Sequence, residues 1–210
     1  SRSTPVYYTI ISLWASLNGS ILFWAGVLGV YVTWFTWSNR DQHREYMPYT
    51  LGVLLVICVF FSILVATIAN PFAAVFPVPL DGPGPNPLLQ NHWLMAFHPP
   101  TLYLGYVGMV VPYAMACGAL LAGRLDAGWM APLRRWTLLA WSFLTVAIML
   151  GGWWSYEVLG WGGYWAWDPV ENASFLPWLT CTAFLHAAMV MQRRGTQKRW
   201  SLVLIMATFL

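Results

Sequence analysis

Charge is what this sequence has least of: Asp, Glu, Lys and Arg together make up 8% of its 210 residues. A soluble domain carries about 25%, so the chain lacks the polar surface that a water-exposed fold needs. Cysteine is also scarce. Cys58, Cys117 and Cys181 each sit in the middle of an apolar run and share no CxxC spacing. That excludes a thiol redox centre and a cysteine metal site, and leaves each thiol as a small hydrophobe. No signal-peptide pattern opens the chain.

What fills the sequence instead is apolar, 59% of all residues, in runs close to the ~20 residues that a bilayer crossing requires. The fold class is therefore all-α, a polytopic transmembrane helix bundle. An apolar lead (Val6 to Leu17) breaks at Asn18-Gly19-Ser20. Spans then follow from Ile21 to Trp37, Tyr49 to Ala69, Pro100 to Leu121, Trp136 to Trp153 and Pro169 to Met191. A sixth starts near Trp200 but has only eleven residues, Leu210 included, so the chain is expected to be an interior piece of a larger protein. The organisation is a lead with two spans (1–69), an external proline-rich loop ending in a short interfacial helix (70–99), and spans three and four (100–152). A Trp-rich external segment (153–172) and span five with the start of six (173–210) complete it.

Cations orient the bundle. The loops "SNRDQHREYMP", "GRLDAGWMAPLRR" and "QRRGTQKRW" hold nine of the ten Lys and Arg residues. Residues 70–99 and the Trp-rich segment hold none. Basic residues in short loops stay cytoplasmic, which puts the Trp-rich segment on the extracytoplasmic face. The basic loops read as topology determinants; nucleic acid is not an expected partner, and the lipid bilayer is.

The segment "GGWWSYEVLGWGGYWAWDPVENASF" carries Trp153, Trp154, Trp161, Trp165 and Trp167 in fifteen residues. Interfacial aromatic belts explain scattered Trp, but account less well for five interleaved with Gly160, Gly162 and Gly163. Broad aromatic faces, indole N–H donors and little bulk between them suit a flat apolar ligand, with about 0.5–1.5 kcal/mol per stacked pair beyond area burial. The acids that follow have a structural role available: Asp168 as N-cap, Pro169 at N1 and Glu171 at N3 of the fifth span. With no cation on this face, an anionic group of a ligand gains no salt bridge, and must stay toward water or meet backbone, Trp, Tyr or Asn donors.

Two histidines stand apart from His43 and His92, which read as surface residues. His98 precedes Pro99-Pro100, where proline biases the chain toward extended geometry. It is either a turn residue at the membrane boundary or a metal ligand beside the Trp segment. His186 lies about 25 Å along a helix from Pro169, deep in the bilayer, where ionisable residues are rare and functional by default. A bond to a neighbouring helix and axial ligation of a buried haem both fit it. Pro112 and Pro177 are expected to bend the third and fifth spans.

"WGGYWAWDPVENASFLPWL" resembles the WWD signature of haem-handling membrane proteins. Together with "FHPPTLYLGYVGMVVPYA", "GRLDAGW", "NPLLQN" and "LWASLNGSILFW", it is similar to the CcmF-type cytochrome c biogenesis family, over nearly the whole chain. The resemblance implies a haem-lyase subunit of the bacterial inner (cell) membrane. Such a subunit takes haem from a periplasmic haem chaperone and joins its vinyl groups by thioethers to the CxxCH motif of apocytochrome c. Reductase and apocytochrome-holding subunits would accompany it. It implies His98 as an axial ligand of the periplasmic haem and His186 as an axial ligand of a resident haem b, the second axial histidines lying beyond Leu210. The haem surface it implies is Trp161 to Asp168, with Trp161, Gly162, Gly163, Trp165, Trp167 and Asp168; the Trp-rich composition adds Trp153 and Trp154 to the expected haem-binding residues. No catalytic nucleophile or base stands out. A haem exporter or delivery scaffold without ligase activity, and a transporter of another aromatic or quinone-like substrate, remain alternatives.

Overall fold

The computed structural model describes residues 4–42, 44–82, 84, 92–125 and 129–209. His43 and the "NPLLQN" stretch lie outside them, as do residues 126–128 of "GRLDAGW". Eight α-helices and no strand occur among the described residues: α1 Val6–Ala15, α2 Leu17–Asn39, α3 Met47–Ala66, α4 Leu94–Gly108, α5 Val110–Leu121, α6 Met130–Val158, α7 Pro169–Arg194 and α8 Lys198–Phe209. Five spans are long and apolar enough to cross a bilayer, with α4 and α5 acting together as one of them. The chain is thus a polytopic membrane protein, as its composition required.

The α4–α5 span is the hub. Two thirds of its most apolar window (67%) is buried, against 17% for α3. Val107, Val110, Val111, Ala114, Met115 and Ala116 fill the interior, whereas Val56, Val59, Phe60 and Ile63 of α3 face outward. Buried small residues let helices approach in lipid, where van der Waals contact rather than water exclusion drives association. Gly105 shows the geometry: a Cβ there would lie 2.4 Å from the backbone nitrogen of Leu144 on α6, so only glycine permits this crossing.

Of the helix ends that differ from expectation, three bear on the site. The lead ends at Ser16, not at Asn18-Gly19-Ser20: the Ser16 hydroxyl accepts from the Gly19 amide at 3.2 Å, an N-cap that draws those three residues into the first turns of α2. The third span begins at Leu94 rather than Pro100, so His98-Pro99-Pro100 is helical rather than a bend. Pro99 has no N–H for the Met95 carbonyl, and the Trp14 indole of α1 donates to that oxygen at 3.1 Å instead. A partner from another helix makes the interior proline tolerable. The fourth span runs on to Val158 and carries Trp153 and Trp154 with it. Glycines 151 and 152 cost about 1 kcal/mol each in a helix but do not stop one, and the first left-handed glycine comes only at Gly160 (φ 68°).

The proline effects in the other spans are milder. Pro112 cannot donate to Gly108, and the helix breaks just there, at Met109 between α4 and α5. Pro177 stays inside an unbroken α7.

Replacing Trp14 by Phe keeps the ring but leaves the Met95 carbonyl without its donor. It should cost about 1 kcal/mol, the net worth of an ordinary hydrogen bond. A lowered midpoint for thermal unfolding in detergent, with Trp34→Phe as an outward-facing control, checks this.

Candidate functional site

The start of α7 is built as its sequence suggests. Asp168 Oδ1 accepts from the Glu171 amide at 2.7 Å, and the Glu171 carboxylate accepts from the Asp168 amide at 3.3 Å, a complete capping box with Pro169 at the first helical position. The same carboxylate also accepts from the Ala166 amide at 2.7 Å. The Asn172 side chain donates to the Trp167 carbonyl at 3.1 Å. These bonds grip both flanks of Trp167, whose φ of 59° is left-handed. That conformation costs a non-glycine residue about 1–2 kcal/mol, so the cap and the strained Trp form one unit.

Before the cap, the chain turns at Gly160 and Gly162 (φ 68° and 73°) and folds back over the end of α6. Tyr164 stacks on Tyr156 at 4.4 Å with rings 8° from parallel. The Ser155 hydroxyl donates to the Gly163 carbonyl at 3.3 Å. The returning strand of residues brings Trp165 onto Phe175 at 5.4 Å.

His98 faces this segment from α4. Its Nδ1 lies 3.0 Å from the Ala147 carbonyl of α6. A carbonyl can only accept, so Nδ1 carries the proton and Nε2 keeps a free lone pair. A Cβ on Gly151 would sit 2.7 Å from His98 Cε1; the missing side chain is what lets the imidazole reach the Ala147 carbonyl one turn away. The ring lies 15° from parallel to the Trp154 indole, centroids 6.4 Å apart. His98, Trp154, Ser155, Trp165, Asp168 and Glu171 line a cavity of about 110 Å³. The indole nitrogens of Trp154 and Trp165 are buried and find no acceptor among the described residues.

The tryptophans do not share one face. Trp154 and Trp165 turn inward beside His98. Trp161 and Trp167 are outward, 44% and 67% exposed, with Trp161 folded against Gly163, where a Cβ would meet its ring at 2.3 Å. Trp153 points to a different neighbour, Trp93, whose ring it meets edge-on at 5.1 Å. His186 is elsewhere: exposed on the outer side of α7, Nδ1 bonded to the Thr182 carbonyl at 2.8 Å. Thr182 in turn accepts from the Trp141 indole at 2.8 Å, tying that turn to α6. No group of three or more His, Cys, Asp or Glu residues able to hold a metal occurs among the described residues.

One cluster was not anticipated. His92 Nε2 lies 2.6 Å from Glu157 Oε2, and the other Glu157 oxygen accepts from the Trp153 indole. The signal was the i, i+4 spacing of Trp153 and Glu157, hidden by ending the fourth span too early.

A family model described as cytochrome C assembly protein matches residues 14–210. The chain belongs to the cytochrome c assembly protein family. Among its relatives is the cytochrome c-type biogenesis protein CcmF of Haemophilus influenzae, 44% identical over 210 residues, which are all of this chain and 32% of the relative. The CcmF of Pseudomonas aeruginosa is 45% identical over the same span and share. A solved structure of "Cytochrome c Heme Lyase CcmF" superposes with a TM-score of 0.83 at 47% identity, covering 98% of this chain and 32% of that one. The chain thus spans about a third (32%) of the length of these relatives.

In this assembly protein the cap should be separable by mutation. Asp168→Ala removes the cap bond alone and should cost about 0.5–2 kcal/mol. Glu171→Ala leaves that bond and instead frees the Ala166 and Asp168 amides, which should speed hydrogen exchange across 164–168, a readout that Asp168→Ala should move less.

Proposed function

We propose that this chain presents the haem-handling face of a cytochrome c maturation protein in the bacterial inner membrane. On this reading residues 159–168 face the periplasm, where a haem chaperone delivers haem and apocytochrome c, brought by reductase and holding subunits, receives it. The sidedness rests on the Lys and Arg residues gathered in the opposite loops. The observation that carries the reading is His98: an imidazole with Nδ1 locked by a carbonyl and Nε2 free, set between Trp154 and a glycine. That is how proteins orient a histidine toward a metal.

The substrate's fit follows from the surroundings. A cavity of about 110 Å³ is smaller than the roughly 300–1,000 Å³ of enclosing ligand pockets, so a porphyrin would lie with one face or edge open. The exposed Trp161 and Trp167 rings, with Gly162 and Gly163 between them, are the apolar surface on offer. The unpaired indole N–H groups of Trp154 and Trp165 are donors for acceptor atoms, such as carboxylates, that meet no Lys or Arg here. Asp168, Pro169 and Glu171 serve by fixing that surface.

The ligation itself adds each CxxCH thiol across a haem vinyl group. A carbon–sulfur bond forms, the vinyl double bond is lost, the thiol proton ends on the vinyl carbon, and no net electrons are consumed. The protein's share is to hold the ring and the iron in position, and proximity of that kind can supply about 7–11 kcal/mol of a barrier. His186 is exposed and has the same locked-Nδ1 pattern, and would be the residue that holds a resident haem b. Such a group would supply one-electron exchange.

The full-length protein tests this by its absorption spectrum. His186→Ala should remove a b-type haem signal and leave haem supplied from outside still able to bind; His98→Ala should do the reverse. With haem-loaded chaperone and a CxxCH peptide, a thioether-type spectrum is expected. Accumulation of free haem on the outer side would favour delivery without ligation.

A further inference from the structure

The contacts between α4 and α6 form an antiparallel series. From the outer end inward, His92 meets Glu157, Trp93 meets Trp153, His98 meets Gly151, Gly105 meets Leu144 and Gly108 meets Ala140. The inner pairs are close steric fits at glycines, with one neutral hydrogen bond, from His98 to the Ala147 carbonyl. The outermost pair is the one made of directional, charged bonds.

Its hydrogen bonds admit one arrangement. The Leu94 amide donates to His92 Nδ1 at 3.3 Å, so that nitrogen is unprotonated and the imidazole proton resides on Nε2. Nε2–H then donates to Glu157 Oε2 at 2.6 Å. The second Glu157 oxygen takes the Trp153 indole proton. One carboxylate thus joins two elements, the start of α4 and the Trp153 turn of α6, which the edge-on Trp93–Trp153 contact at 5.1 Å joins as well. His92 stands six residues before His98, and Glu157 six residues after Gly151, a distance of about 9 Å along a helix.

We propose that Glu157 and His92 are positioning residues, a clamp that sets the register of α4 on α6 and so holds His98 opposite Gly151 with its free nitrogen aimed at the external haem iron. This rests on the reading of His98 as an iron ligand. The clamp touches no reacting atom. A shift of α4 by one residue would move His98 about 1.5 Å along the helix axis and rotate it off the glycine, breaking both the Ala147 bond and the Trp154 stacking.

The test uses the full-length protein in nanodiscs. In the haem-loaded protein, Glu157→Ala should lower by about tenfold the concentration of free imidazole that displaces the native ligand at the external iron, the loss expected for charge-assisted bonds to a partly exposed group. In the haem-free protein the Leu94 amide should exchange about tenfold faster, since the His92 ring that accepts from it is no longer held by Glu157. Glu157→Gln keeps one acceptor oxygen and should fall between. His92→Phe should match Glu157→Ala, and combining the two should add little, the mark of a single coupled unit. Unchanged imidazole competition and exchange in Glu157→Ala and Glu157→Gln, beside a His98→Ala protein whose spectrum does change, overturns the clamp and leaves the haem reading standing. A spectrum indifferent to His98→Ala overturns both. A Glu157→Ala protein that cannot be purified leaves Glu157→Gln to decide: an effect on competition and exchange supports the clamp, and none overturns it.

Discussion

The placement of His98 and Trp154 depends on how closely α4 lies on α6. Two glycines on opposite helices make that approach possible: Gly105, which meets the Leu144 backbone, and Gly151, which meets the His98 ring. In a bilayer the apolar side chains gain nothing over lipid by merely touching, so shape and hydrogen bonds decide which helices pair. The glycines supply the shape. The Ala147 carbonyl, the Trp14 indole and the Glu157 carboxylate supply the bonds.

The candidate site inherits its order from that contact. His98 is held because its nitrogen bonds a neighbouring helix, and Trp154 is beside it because α6 continues to Val158. The loop that follows is held by a different device, the α7 capping box, extended by one more bond from Glu171 and one from Asn172. Two separate anchors therefore converge on one cavity. One comes from the packed span and the other from a helix terminus, and the strained Trp167 lies on the second.

His186 belongs to another environment. It lies on the outer side of α7, fixed by its own turn and by the Thr182–Trp141 contact to α6. Phe175, Trp178 and Trp141 stack between the two regions, at 5.8 Å and 6.2 Å, so the outer segment and the His186 turn share a continuous aromatic wall. That wall is also what locks α7 onto α6, through the Trp178 and Trp141 indoles and their threonine partners.

The residues by themselves determined the membrane class and the α7 cap, because these follow from composition and from contacts close in the chain. Asp168-Pro169-Val170-Glu171 reads as a helix start with no knowledge of its neighbours. The way the Trp cluster divides was not legible there. Whether Trp154 faces a cavity, or Trp153 a carboxylate, depends on where α6 ends and which helix lies against it. Likewise His98-Pro99-Pro100 looks like a bend until Trp14, far away in the chain, satisfies the carbonyl that proline leaves open. Tertiary structure alone decided those points, since a proline or a polar side chain in lipid takes whatever conformation lets a distant partner complete its hydrogen bonds.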